Sequence, residues 1–188
     1  MTQNEQQVIH ATRAWLEKAV IGLNLCPFAK AVHVKQQIRY VVSAAQTEQA
    51  LLEHLLDELH LLYDADAEDI DTTLLIHPDV LTDFLDFNDF LEVAEAAANE
   101  VEFDGALQVA SFHPQFQFAD TLPDDIGNYT NRSPYPMLHL LREDSIDRAV
   151  EAYPDAATIY ERNIVTLTAL GHTGWLKLFG VDYPRPGD

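Results

Sequence analysis

The chain has 188 residues, 47% apolar and 22% charged, and sets 11 Lys and Arg against 31 Asp and Glu for a formal net charge of −20. Nine Phe, seven Tyr and two Trp exclude an intrinsically disordered chain. The charge excludes an open nucleic-acid surface or an anionic membrane patch as the main partner. The imbalance is local: Tyr40 to Asn131 carries 21 acidic residues and no Lys or Arg, whereas the remainder holds 10 acids and 11 bases. That span reads either as solvated helix faces or as a docking surface for a basic protein or a mimic of nucleic acid.

Residues 1–26 predict an N-terminal helix. Val8, Ala11, Trp15, Ala19 and Leu23 recur at helical spacing, Thr2 and Glu5 form a capping box, and Gly22, Asn24 and Pro27 supply stop signals. Cys26 is the only cysteine, which excludes an intrachain disulfide; after a helix C-terminus, where a thiolate is disfavoured, it reads as structural. The opening MTQNEQQVIH lacks the basic and apolar regions of a signal peptide, and no apolar run approaches a membrane span, so a soluble cytoplasmic protein is expected.

Residues 32–113 predict a β-α-β-α-β core. Val32, Val34, Ile38, Tyr40 and Val42 alternate with His33, Lys35, Gln37 and Arg39 as a half-exposed strand. Leu51, Leu52, Leu55, Leu59 and Leu62 mark a helix with Thr47 as N-cap, and Thr72 to Ile76 reads as a strand buried on both faces. A helix through Phe90, Leu91, Val93, Ala94 and Ala97 ends before Gly105, and Ala106 to Phe112 makes the third strand. Helix-length crossovers predict parallel neighbours.

Residues 114–136 read as a long loop, rich in Pro, Asp and Asn, with a short strand at 115–118. Two helices fill 137–170: a broken one over Met137 to Tyr153, then Asp155 to Leu170 with Asp155 as N-cap and Gly171 at its end. Residues 171–188 form a tail. The expected architecture is a single α/β (or α+β) domain over 1–188, with a small, mainly parallel sheet of three to four strands and flanking terminal helices.

Two of the strands end alike, in Ile76-His77-Pro78 and Phe112-His113-Pro114. Parallel sheets bind ligands at the carboxyl ends of their strands, so His77 and His113 are expected at one functional edge. The plain alternative for each ring is a hydrogen bond to a loop carbonyl. The loop after His113 delivers Asn131, Arg132 and Ser133, with Ser133 placed to cap a following helix that carries His139 and Arg142 one turn apart. A helix start beside an Arg suits an anion, although Ser133 can be a cap alone and the two Arg can serve in salt bridges. His10, His54, His60 and His172 read as ordinary surface or helix residues, and His33 stays open between the two readings.

The segments WLEKAVIGLNLCPFA, FHPQFQFAD and NRSPYPMLHLLREDSI resemble the signature stretches of a bacterial domain-of-unknown-function family, the one numbered 1415, over most of the chain. The resemblance implies a bacterial, cytosolic, single-domain protein and brings no activity or catalytic residues. Three functions are therefore weighed on the residues. The first is an enzyme acting on a small anionic substrate, with His113 as acid/base, His77 assisting, and Asn131, Arg132, Ser133 and Arg142 as substrate contacts. The second is a metal site of His77, His113 and His139 with Asp120. The third is a non-catalytic acidic module that binds a basic protein. No G-x-G-x-x-G or G-K-[ST] occurs, so nothing resembles a nucleotide-binding glycine-rich loop, and the sequence names no cofactor.

Overall fold

In the computed structural model, which describes residues 3–100, 103, 105–153 and 155–179, six helices flank both faces of one four-stranded sheet. The expected capping residue Thr2 and the tail beyond residue 179 lie outside the described residues. Helix α1 spans Gln3–Trp15 and continues as a π-helical segment, Leu16–Ile21. That wider segment turns the adjacent pairs Trp15-Leu16 and Ala19-Val20 inward together. Gly22 closes it: a Cβ there would lie 2.3 Å from the Lys18 carbonyl oxygen.

The expected strand over 32–42 divides in two. Ala29–Val34 is a short helix, α2, and only Ile38–Val42 is strand β1. Ala29, Lys30 and Ala31 favour a helix intrinsically, and Gln36, at φ 61°, breaks it. Val34 is exposed as a result, so the alternation from Val32 to Val42 has no single strand behind it. Helix α3 (Glu48–Asp64) starts at the expected Thr47 cap, whose hydroxyl accepts from Ala50 N–H at 3.2 Å. Strand β2 (Thr72–Ile76) is buried throughout, and α4 (Phe84–Ala98) is capped by the Asp83 carboxylate.

Strand β3 is Leu107–Phe112. The loop after it is turns and coil, with a 3-10 turn at Ile126–Thr130 and no strand at 115–118. Met137–Arg142 is a fourth strand, β4, rather than the first turns of a helix. A strand buried between two neighbours has an unbroken apolar run such as MLHLL, which periodicity alone cannot tell from a helix. Pro136 holds the preceding residue extended and so favours the strand. Helix α5 covers Glu143–Glu151, and α6 (Ile159–Phe179) is two helical stretches that meet at Gly171, whose φ of 63° is not helical; the first ends where expected, and the second occupies 172–179, where a tail was expected. Asp155 precedes a 3-10 turn at Ala156–Thr158 and makes no side-chain cap.

The strand order is β1-β2-β4-β3. Only β1 and β2 pair in parallel; β4 runs antiparallel to both β2 and β3, so the sheet is mixed rather than mainly parallel. One face carries Leu75, Leu138 and Leu140 against Leu51, Leu55 and Leu59 of α3 and Phe87 and Phe90 of α4. The other packs Leu74, Ile76 and Met137 against Val8, Trp15 and Leu16 of the first helix and Leu167 and Trp175 of α6. Among the described residues no helix is long and apolar enough to cross a membrane.

Candidate functional site

Because β4 opposes both β2 and β3, those two strands still run the same way. Val42, Ile76, Met137 and Phe112 line up in register across one end of the sheet. His77 and His113 follow directly and are both fully buried. Phe87 of α4 joins them, with its ring centroid 5.6 Å from His77 and 5.1 Å from His113.

Both rings are spent on backbone. His77 Nδ1 donates to the Val80 carbonyl at 2.9 Å, leaving its Nε2 buried and without a partner. His113 Nε2 donates to the Leu81 carbonyl at 3.2 Å, while its Nδ1 accepts from Gln115 N–H at 3.0 Å. Burial pushes both imidazoles down to about 4, with the carbonyl bonds opposing only part of that shift, so both are neutral at pH 7. The pair therefore fastens one turn, Val80-Leu81, in which Leu81 holds φ 54°.

The expected anion contacts are committed elsewhere. Arg132 Nε and Nη2 donate to the carbonyls of Phe116 and Pro123 at 3.2 and 2.6 Å, and its guanidinium lies 4.4 Å over the Tyr129 ring. Asn131 serves the end of β3: its carbonyl accepts from His113 N–H and its amide donates to Ser111 O, each at 3.2 Å. Ser133 donates to Tyr135 O at 2.7 Å and caps no helix, since a strand follows. Arg142 ends β4 at the opposite edge, about 17 Å along the strand from Met137. There it bonds the carbonyls of Leu62, Ala65 and Ile70 at 2.5, 2.6 and 3.1 Å.

The four metal candidates are not brought together. His77 and His113 face α4, whereas His139 pairs with Leu74 on the other side of the sheet and Asp120 is exposed in the loop. His139 Nε2 donates to Thr72 Oγ1 at 2.7 Å, because that hydroxyl itself donates to Leu140 O at 2.7 Å. Burial lowers this ring to about 4 as well. Among the described residues no group of three His, Cys, Asp or Glu could hold a metal ion. Cys26 is half-buried, and burial pushes its thiol up.

An open cleft of about 540 Å³ lies beside the histidine-held turn. Gln46, Thr47, Glu48 and Gln49 at the start of α3 form one wall, and Val80, Leu81, Thr82, Asp83 and Asp86 at the start of α4 form the other. Its side chains are polar or acidic at the rim and apolar only at Val80 and Leu81. The expected histidines lie behind this cleft, holding its Val80-Leu81 wall, and are not among the residues that line it. The sequence signals for these walls are the two helix caps, Thr47 and Asp83, in the connections that follow β1 and β2.

No curated protein and no solved structure matches this chain. Residues 7–177 match the model of a family described as a protein of unknown function, DUF1415. The match spans most of the chain, from the second turn of α1 almost to the end of α6, and the chain belongs to that family.

Proposed function

We propose that this chain binds a small molecule, in an enzyme-like site, within the cleft between the N-termini of α3 and α4. One observation carries the reading: the cleft opens at the carboxyl ends of two adjacent parallel strands, the place where open α/β sheets take ligands. Glu48, Asp83 and Asp86 line it, together with the amides of Gln46 and Gln49 and the hydroxyls of Thr47 and Thr82. The first N–H groups of both helices already have caps in Thr47 and Asp83. A small cation or a hydroxyl-rich molecule therefore suits the site better than the anion suggested by Arg132 and Ser133. His113 serves it as a positioning residue acting through Leu81, with neither ring nitrogen left for acid/base work.

Titration of the ¹⁵N-labelled protein with putrescine and, separately, with inorganic phosphate tests this reading. Saturable shifts of the amides of residues 46–49 and 80–86 with putrescine, weakened in Asp83→Asn and Asp86→Asn, are expected. Shifts there with phosphate alone, or with neither probe, defeat it.

A second reading, the acidic docking surface for a basic protein, has its own support. Of the 19 described acidic residues between Tyr40 and Asn131, 17 are exposed, and only Glu58 is buried in an ion pair. A single cysteine and this acidity fit a reducing bacterial cytoplasm, where we place the protein.

A further inference from the structure

On the α3 side of β1, a serine, an imidazole and a carboxylate stand in sequence. Ser43 follows β1 and is fixed to the sheet by its N–H, which donates to Ile76 O at 2.7 Å. Its Oγ accepts from Ala45 N–H at 3.2 Å and lies 2.9 Å from His54 Nδ1. With one lone pair taken by that N–H, the hydroxyl proton is free to point at Nδ1, and the imidazole then carries its own proton on Nε2. Nε2 faces Glu58 Oε1 at 3.9 Å. The Glu58 carboxylate is buried and held by Arg39 through two bonds, of 2.7 and 2.9 Å. His54 and Glu58 sit one turn apart on one face of α3, and Arg39 and Ser43 project from the face of β1 that meets it. His54 reads from the sequence as an ordinary helix residue; the fold gives it a nucleophile on one side and an anion on the other.

We propose that Ser43, His54 and Glu58 form a nucleophile relay for acyl transfer from small carboxylic esters. His54 Nδ1 takes the Ser43 proton as Oγ bonds to the ester carbonyl carbon. The ester C–O bond then breaks, and the alcohol leaves with the proton held on Nδ1. Water, deprotonated by the same nitrogen, attacks the acyl-serine; the acyl C–Oγ bond breaks, Oγ takes the proton back from Nδ1, and the carboxylic acid leaves with Ser43 and neutral His54 restored. Glu58 steadies the imidazolium by its charge, 3.9 Å from Nε2, and Arg39 is a positioning residue that fixes the carboxylate. Ser43 is 1% exposed while the His54 side chain is 30% exposed, so an acyl donor has to be small and to reach Oγ past the His54 ring. The proposal rests on the cleft reading only in its preference for esters that carry a positive group.

Incubating the full-length protein with diisopropyl fluorophosphate, followed by intact-mass measurement and peptide mapping, tests the relay. The serine oxygen bonds to phosphorus, fluoride leaves, and His54 receives the proton. A single adduct on Ser43 is expected, absent from Ser43→Ala and formed about a hundredfold more slowly in His54→Gln. An unmodified Ser43 in the folded wild-type protein, or an unchanged rate in His54→Gln, overturns the relay. The mapping of the wild-type adduct decides the case even if Ser43→Ala does not fold. Putrescine that slows labelling supports the preference for positive esters; labelling that is indifferent to putrescine overturns that preference and leaves the relay standing.

Discussion

The two ends of the sheet solve one problem with different chemistry. At each end a side chain must satisfy carbonyls on a neighbouring connection. At the carboxyl end of β2 and β3, the neutral rings of His77 and His113 hold the Val80-Leu81 turn. At the opposite end the Arg142 guanidinium gathers Leu62, Ala65 and Ile70, at and just beyond the last turn of α3. A buried imidazole donates one hydrogen bond without bringing a charge inside. A guanidinium donates several and remains charged at every accessible pH. The first kind of fastening is released by acid and the second is not, and the candidate cleft is built against the first.

The largest expected effect is therefore acid sensitivity, two of whose three sources lie at the carboxyl end of β2 and β3, while the third, His139, is bonded to Thr72 inside the sheet. The three buried rings, His77, His113 and His139, are lowered from the ordinary 6.5 to about 4. Between those values the unfolded chain binds protons that the folded chain refuses. Their contribution is complete above pH 6.5 and is lost as the pH falls towards 4. Each ring adds up to about 1.4 kcal/mol of lost stability per pH unit. Denaturant melts at pH 7, 6, 5 and 4.5 should show this fall, and His77→Phe with His113→Phe should flatten most of it. A slope unchanged by the double substitution would break the contrast between the two ends.

Next in size is the loss of the permanent fastening. Arg142→Met removes every bond to the three carbonyls, and charged hydrogen bonds of this kind carry the cost to about 2–3 kcal/mol. In a domain of this length that lowers Tm by about 5–10 °C, equally at pH 5 and pH 7. A pH-dependent loss would show that Arg142 and the histidines belong to one coupled unit.

How much of this could be read in the chain depends on how far apart the partners lie. Both histidines fall at the same sheet end as expected, although the strand order does not follow expectation. The helices between β1 and β2 and between β2 and β3 return the chain to its starting end, so the direction of β3 survives the insertion of β4. The Thr47 cap and the fully buried Thr72–Ile76 strand were legible because their causes are local. Strand β4 was not, since MLHLL, apolar except at His139, shows neither the alternation of a half-buried strand nor the stripe of a helix. The fastenings were least legible: His113 meets Leu81, 32 residues away, and Arg142 meets Leu62, 80 residues away. No local pattern in the loop told Arg132 as an anion contact from Arg132 as a clamp on its own loop.

A smaller effect isolates that clamp. Arg132→Met deletes two bonds to loop carbonyls and the contact with Tyr129, all within the segment from Phe116 to Arg132. Because the loop is only part of the fold, the cost should stay at about 1–2 kcal/mol and be confined to it. Hydrogen exchange should quicken at residues 116–131 and hold steady at Val80 and Leu81. Faster exchange at both places would tie the loop to the cleft wall.

The smallest expected effect is the most useful for the cleft. Asp83 has two roles: its carboxylate caps α4 through the N–H groups of Leu85 and Asp86, at 2.8 and 3.4 Å, and it supplies negative charge to the cleft wall. Asn caps a helix about as well as Asp, so Asp83→Asn should change stability by less than about 0.5 kcal/mol. Asp83→Ala should cost about 1 kcal/mol through the lost cap. The pair separates architecture from recognition. If Asp83→Asn keeps the melting point and weakens putrescine binding, the charge serves a ligand; if it lowers the melting point as far as Asp83→Ala, the charge serves the helix.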